Sequence, residues 1–294
     1  MNKIAPTELV LNPDNSVYHL KLHPHQIAKD IILVGDPGRV KIISSLFDTV
    51  EHQIENREIV THTGRLNGKA ITVLSTGMGT DNIDIDIVIN ELDALVNIDL
   101  ENRTVKNEHT ALNLVRIGTS GALQAEIPVD DFIVSEYGLG LDGLMNYYEY
   151  DSTPEEQELL TQFYAQTNYN KTFAQPYFVK GAPELFDKLK TGNRCHAGIT
   201  ATASGFYGPQ GRVLRIPLKE TQINEKLNQF NFQNKKVVNF EMETSALYGL
   251  SRALGHNACT VCAVIGNRFT KEFSKDYKAT VKELIAFTLE RLTQ

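Results

Sequence analysis

Two carboxylates close an apolar run in Val237 to Ala246, Val-Val-Asn-Phe-Glu-Met-Glu-Thr-Ser-Ala, where a helix is expected to begin. Acids at such a junction can hold hydroxyl groups or steady a developing positive charge, and Met242 between them offers an apolar thioether to pack on a ring. Treated as one extended segment, it is expected to turn Glu241 and Glu243 to opposite sides, with Met242 facing away from both neighbours. The plainer role for two acids here is to favour the positive end of the helix, by roughly tenths of a kcal/mol each. The helix itself carries an apolar stripe through Ala246, Leu247, Leu250, Ala253 and Leu254, with Gly255 placed as its C-terminal cap.

Anion chemistry is the second theme. Ile31 to Val34 runs into Gly35-Asp-Pro-Gly-Arg39, Lys69 to Ser75 into Ser75-Thr-Gly-Met-Gly79, and Asn113 to Ile117, carrying Arg116, into Gly118-Thr-Ser-Gly121. A strand, a glycine turn and a helix with an arginine at its start gather free N–H groups, a helix dipole and a guanidinium in one place. Neither the Walker signature nor the dinucleotide glycine pattern occurs at these turns. Gly138-Leu-Gly140-Leu-Asp-Gly143 does match the dinucleotide pattern, but the residues after it are poor helix starters, so we read it as accidental. Cys259 and Cys262 have redox or zinc spacing, yet they run into Ala263-Val-Ile265 as a buried strand with no second pair, and Cys195-His196 would face opposite ways in a strand. All three cysteines therefore read as structural.

The elements that must position these groups alternate. Tyr18 to Leu22 is expected as a short strand with His19 on the face of Val17 and Lys21. Asn67-Gly68 is the strongest hairpin signal in the chain, joining Arg57 to Arg65 with Lys69 to Ser75. A helix capped by Asp81 follows through Ile85, Val88, Ile89, Leu92, Leu95 and Val96, and Glu101 to Thr110 reads as a polar surface loop. Helices are expected over 154–167, 183–189 and 281–292, and strands over 132–134 and 259–265. This alternation, without repeats or a low-complexity linker, implies one α/β domain across 1–294. A net charge of -7 and no dense basic stripe argue against a nucleic-acid partner. No signal-like apolar core opens the chain, and no stretch reaches the ~18 apolar residues of a membrane span, so a cytoplasmic protein is expected.

Gly35-Asp-Pro-Gly-Arg39, Ser75-Thr-Gly-Met-Gly79, Arg116-Ile-Gly-Thr-Ser-Gly121, Phe206-Tyr-Gly-Pro-Gln-Gly-Arg212 and Asn239-Phe-Glu-Met-Glu243 together resemble the nucleoside phosphorylase family of the uridine phosphorylase type, in the family's order. The resemblance implies a mixed central β-sheet flanked by helices, and reversible phosphorolysis of uridine in pyrimidine salvage, with inorganic phosphate as co-substrate and no cofactor required. By position it implies that Gly35, Arg39, Arg116 and Thr119 cradle phosphate, with Arg57 reaching in from a neighbouring subunit. It implies that Glu243 binds the ribose hydroxyls, Met242 packs on the sugar, His19 of an adjacent subunit approaches the 5'-hydroxyl, and Glu241 lies beside the site. Gln210 and Arg212 match the uracil-reading pair, with Phe206 stacking, Ile265 as a wall and Arg268 near the base. Glu58, Ile71 and Ser75 match positions for a potassium ion between subunits of a homo-oligomer, a dimer at least and a hexamer by analogy.

Purine members place an Asp after the last strand to protonate the leaving base. Here Gly266-Asn267-Arg268 stands instead, and hydrogen-bond donors suit a pyrimidine, whose leaving charge spreads to its carbonyl oxygens. Thr80-Asp81-Asn82, and Gly266 where a bulkier apolar residue is usual, depart from the pattern. A nucleosidase of the same fold, or a non-catalytic nucleoside-binding protein, is the alternative.

Overall fold

The structure, a computed structural model, describes residues 3–79 and 85–294. The Asp81 cap and the Thr80-Asp81-Asn82 departure lie outside the described residues. Strand β1 (Asp30–Val34) leads into helix α1 (Pro37–Ser44), then come β2 (Thr49–Asn56), β3 (Ile59–Leu66), β4 (Lys69–Ser75) and α2 (Ile85–Asn97). A small hairpin, β5 (Ile98–Asp99) and β6 (Thr104–Val105), precedes β7 (Asn113–Ala122), β8 (Phe132–Gly140), α3 (Pro154–Thr167), β9 (Tyr177–Lys180) and α4 (Pro183–Leu189). The chain closes with β10 (Cys195–Thr202), α5 (Ile223–Gln229), β11 (Asn231–Phe232), β12 (Lys235–Glu241), α6 (Thr244–Ala253), β13 (Asn257–Asn267) and α7 (Tyr277–Thr293).

Eleven strands form one mixed sheet in the order β11-β12-β10-β8-β13-β7-β1-β4-β3-β2, with β9 added on β8. A further antiparallel pairing of β12 with β7, Asn239 opposite Ala122 and Phe240 opposite Gly121, closes β12, β10, β8, β13 and β7 into a ring. That closure brings the end of β12 against β7. Alternate residues of β1 serve two cores: Ile31 and Leu33 pack with α2 and α6 residues such as Leu92 and Leu247, Ile32 and Val34 with α1, α4 and α7 residues such as Ile43, Leu185 and Leu284. A strand buried on both faces reads as continuous apolar sequence, as Ile31 to Val34 does.

Asn67 and Gly68 both take positive φ, +53° and +77°, the two-residue turn that joins β3 to β4. Several expectations needed correction. Tyr18 to Leu22 is a turn, not a strand: Val17 bridges Leu11, Lys21 has φ +55°, and its amide returns to the Val17 carbonyl. Part of the stretch Glu101 to Thr110 pairs as β6 instead of looping throughout. Gly118 to Gly121 is not a turn, because β13 pairs beside it and keeps β7 extended to Ala122. Two of the three dinucleotide-like glycines belong to β8, where a Cβ on Gly138 would meet Ser245 at 2.7 Å and one on Gly140 the Tyr177 ring at 2.2 Å, while Gly143 takes φ +86° before a short helical turn. Gly138 and Gly140 are there for close packing. All three cysteines are free, Cys259 and Cys262 buried. No helix among the described residues is long and apolar enough to cross a membrane.

Candidate active site

A cavity of about 910 Å³ opens where the C-terminal ends of β1, β7, β12 and β13 meet the loop after β10. The ends of the parallel strands β1, β7 and β13 lie together there, and side chains from far-apart segments converge. Gly35, Arg39, Arg116, Thr119, Phe206 and Gln210 line it, as do Arg212, Glu241, Met242, Glu243, Ile265 and Arg268.

Arg116 is the hub. Its side chain is buried, with the guanidinium hydrogen-bonded to the Glu243 carboxylate through Nη2 and standing 3.6 Å from Glu241 through Nη1. The two acids thus share a target instead of opposing each other. Alternate residues of an extended chain lie on one face, and β12 ends at Glu241, leaving Glu243 at φ -139° and ψ -26° as the residue before α6. Burial alone would loosen the Arg116 proton, but Glu243 and then Glu241 outweigh it and hold its pKa above the ordinary value. Gly118 makes room: a Cβ there would meet Arg116 Nη1 at 2.0 Å and Cys262 Sγ at 2.8 Å. Gly118→Ala is therefore expected to push the guanidinium out of place and weaken anion binding in the cavity about 10²-fold, read by calorimetry with inorganic phosphate.

The two acids divide the work. Glu241 accepts the Thr202 hydroxyl at 2.7 Å and the backbone amides of Glu243 and Thr244, each at 2.9 Å, so it takes the helix-capping role. Burial pushes its carboxyl up to about 7, with Arg116 pulling down and Glu243 pushing up. Glu243 keeps one oxygen on Arg116 and the other on the Gly79 amide at 2.7 Å. Arg39 donates to the Ile117 carbonyl at 3.1 Å, and burial, then the charge of Arg116, lowers its pKa. A pair of crowded, desolvated guanidiniums is a site that an anion would relieve.

Across the cavity stand uncharged and cationic donors. Gln210 is buried, and its side-chain oxygen accepts Arg212 Nη1 at 2.6 Å, which leaves the amide nitrogen without a hydrogen bond among the described residues. Arg212 also donates to the Phe206 carbonyl at 2.5 Å and stacks 3.7 Å over the Phe206 ring. Burial and the neighbouring Arg268 lower Arg212 to about 10. Arg268 in turn donates to the Gln210 carbonyl at 2.7 Å. Gly266-Asn267-Arg268 brings no acid, and the exposed Glu272 at the cavity wall accepts the Thr270 hydroxyl at 3.0 Å.

His19 and Arg57 do not line this cavity. They share another patch: Asn56 donates to the His19 carbonyl at 2.7 Å, Arg57 lies 5.7 Å from the centre of the Tyr18 ring, and Glu91 holds His19 Nδ1 at 2.6 Å. The potassium set does not assemble either. Ser75 Oγ is occupied by the Glu58 carbonyl and the Val60 amide, and Ile71 is buried in β4 between β1 and β3, four residues and about 13 Å of strand from Ser75. These residues do not fit one shared ion. Thr202, the Gly79 amide and Phe273 escaped the sequence reading, because no local pattern marks a residue that acts across strands or loops.

A sequence profile described as the phosphorylase superfamily matches residues 29–292. The chain is 32% identical to a uridine phosphorylase of Thermococcus kodakarensis over 278 residues, 94% of this chain and 86% of that protein. It is 29% identical to a DeoD-type purine nucleoside phosphorylase of Bacillus cereus over 94% of this chain and 98% of that one. A solved Trypanosoma brucei nucleoside phosphorylase, described as showing uridine phosphorylase activity, superposes with a TM-score of 0.87 at 32% identity, covering 97% of this chain and 99% of that one.

Proposed function

The chain belongs to the phosphorylase superfamily, and from that premise we propose that it catalyses reversible phosphorolysis of a pyrimidine ribonucleoside, uridine and phosphate giving uracil and ribose 1-phosphate. One observation carries the choice of a pyrimidine: the base side of the cavity presents Gln210 and Arg212 as donors and no acid at Gly266-Asn267-Arg268. In this reading Gly35, Arg39, Arg116 and Thr119 hold phosphate beneath the sugar. As the bond from C1' to N1 lengthens, its electron pair passes into the ring and onto the carbonyl oxygens, where Gln210 and Arg212 meet the charge. The sugar turns oxocarbenium-like, flanked by Glu243 and the phosphate, and a phosphate oxygen then bonds to C1'. Met242 packs on the ribose, and Phe206, Ile265 and Arg268 bound the base. We place the reaction in cytoplasmic pyrimidine salvage.

The test is chromatography of freed bases from a nucleoside panel. Uracil is expected from uridine only with phosphate present, and far less base from inosine. Equal turnover without phosphate would instead indicate a nucleosidase, and no turnover a binding protein.

His19 and Arg57 lie outside their own chain's cavity, and we read them as groups that complete a neighbouring copy's cavity in a homo-oligomer. Arg57→Ala and Glu243→Ala are each expected to be inactive alone. Refolded together, they should recover about a quarter of wild-type activity per dimer with random pairing, one site in each hybrid being intact; recovery of none would show that Arg57 serves its own chain.

A further inference from the structure

Two carboxylates share one guanidinium in the cavity, and the reading above brings a phosphate to the same place. Arg116 binds Glu243 directly, stands 3.6 Å from Glu241, and keeps its Nε, a buried donor, without a hydrogen-bond partner among the described residues. Arg39, desolvated as well, is the second cation at this end of the cavity. With both acids ionised the two guanidiniums are already neutralised, so a phosphate dianion would arrive as uncompensated charge in buried surroundings. Such charge is costly, and a neighbouring group that takes up a proton relieves it.

Hydrogen-bond chemistry says which acid takes the proton. A protonated carboxyl must donate, so it needs an acceptor beside it. Among the described residues Glu243 has none: Arg116 and the Gly79 and Met242 amides are all donors. Glu241 has one. Its Oε1 lies 2.7 Å from Thr202 Oγ1, a hydroxyl that accepts the Ser245 amide at 2.9 Å and has a second lone pair to offer. The β10–β12 ladder fixes this pairing, since it sets Thr202 opposite Glu241. The charged and titratable groups around Glu241 are Arg116 from β7, Glu243 before α6 and the Cys262 thiol from β13, which burial pushes up to about 12 and so keeps neutral. Asp142, behind the first turn of α6, is engaged by Tyr177, Ser245 and the Leu144 amide instead. Burial already raises the Glu241 carboxyl to about 7, which puts its protonation within reach at neutral pH.

We propose that anion and proton bind together: as phosphate settles on Arg39 and Arg116, a proton from solvent adds to Glu241 Oε1, is donated to Thr202 Oγ1, and returns to solvent when the anion leaves. This rests on the phosphate reading of the cavity and gives Glu241 a part beyond capping α6. Glu241 is then a positioning residue that acts through Arg116, because once neutral it leaves the guanidinium to Glu243 and the phosphate.

The experiment uses sulfate, a dianion that takes up no proton near neutral pH, whereas phosphate itself titrates there. Calorimetry at about pH 7.5 in buffers of different ionisation enthalpy counts the protons that accompany binding. The wild type is expected to take up about half a proton or more per sulfate, and its affinity to fall several-fold per pH unit above about 7. In Glu241→Gln the amide stands in for the protonated acid and donates to Thr202. That variant should take up no proton and bind sulfate about tenfold tighter than the wild type at about pH 8. Infrared difference spectra of the wild type should gain a protonated-carboxyl band when sulfate is added, a readout that needs no variant. Sulfate bound without proton uptake, or uptake unchanged in Glu241→Gln, would overturn the proposal and leave the anion site standing. If neither sulfate nor phosphate binds, the phosphate reading fails and the proposal falls with it.

Discussion

Arg116→Ala is expected to lower kcat/KM by about 10³-fold or more and to destabilise the fold by about 3–5 kcal/mol. The activity loss follows from removing a buried guanidinium that would face the attacking phosphate. The stability loss follows from the two carboxylates left behind: Glu243 loses its ion pair and Glu241 its nearest positive charge, both in buried surroundings. Urea titration of wild type and variant measures the second effect, and its pH dependence has a defined sign. Glu241 is raised from 4.5 to about 7 in the fold by burial, so its contribution to stability is present in full below 4.5 and is lost as pH rises through 7. Removing Arg116 takes away the charge that restrains this rise, so the variant should lose more stability than the wild type between pH 6 and 8, the range just around the raised pKa. An equal loss at every pH would mean that the carboxylates find another partner.

Glu243→Gln should remove activity at a smaller cost in stability than Arg116→Ala, because the buried Arg116 guanidinium keeps Glu241 at 3.6 Å. The amide keeps an oxygen for the Gly79 amide but loses the negative charge beside the sugar, so kcat is expected to fall by about 10²–10³-fold. The ion pair with Arg116 disappears at the same time, freeing that guanidinium, so KM for phosphate should fall or stay level. The split distinguishes the proposed role from a structural one, because a collapsed pocket would raise KM for phosphate as kcat falls.

Local sequence carried much of the fold. Ile31 to Val34 read as a strand covered on both faces and Asn67-Gly68 as a tight turn between strands, and the structure holds both. The resemblance of five short motifs to the nucleoside phosphorylase family also pointed to residues that line the cavity, among them Arg39, Arg116, Gln210 and Glu243.

What local pattern could not decide was how separate strands meet. The glycines at 118 and 121 looked like a turn, and only pairing with β13 and β12 shows them extended. Glu241 and Glu243 were expected to diverge, although alternation puts them on one face; that the group they meet is Arg116 of β7 is decided by the β12–β7 closure. His19 looked like a strand residue, and Glu91, 72 positions away, fixes it in a turn. Periodicity and turn chemistry act within a few residues and are written in the chain. Ion pairs and cavities depend on contacts between segments far apart in sequence, and those exist only once the sheet has curled and closed.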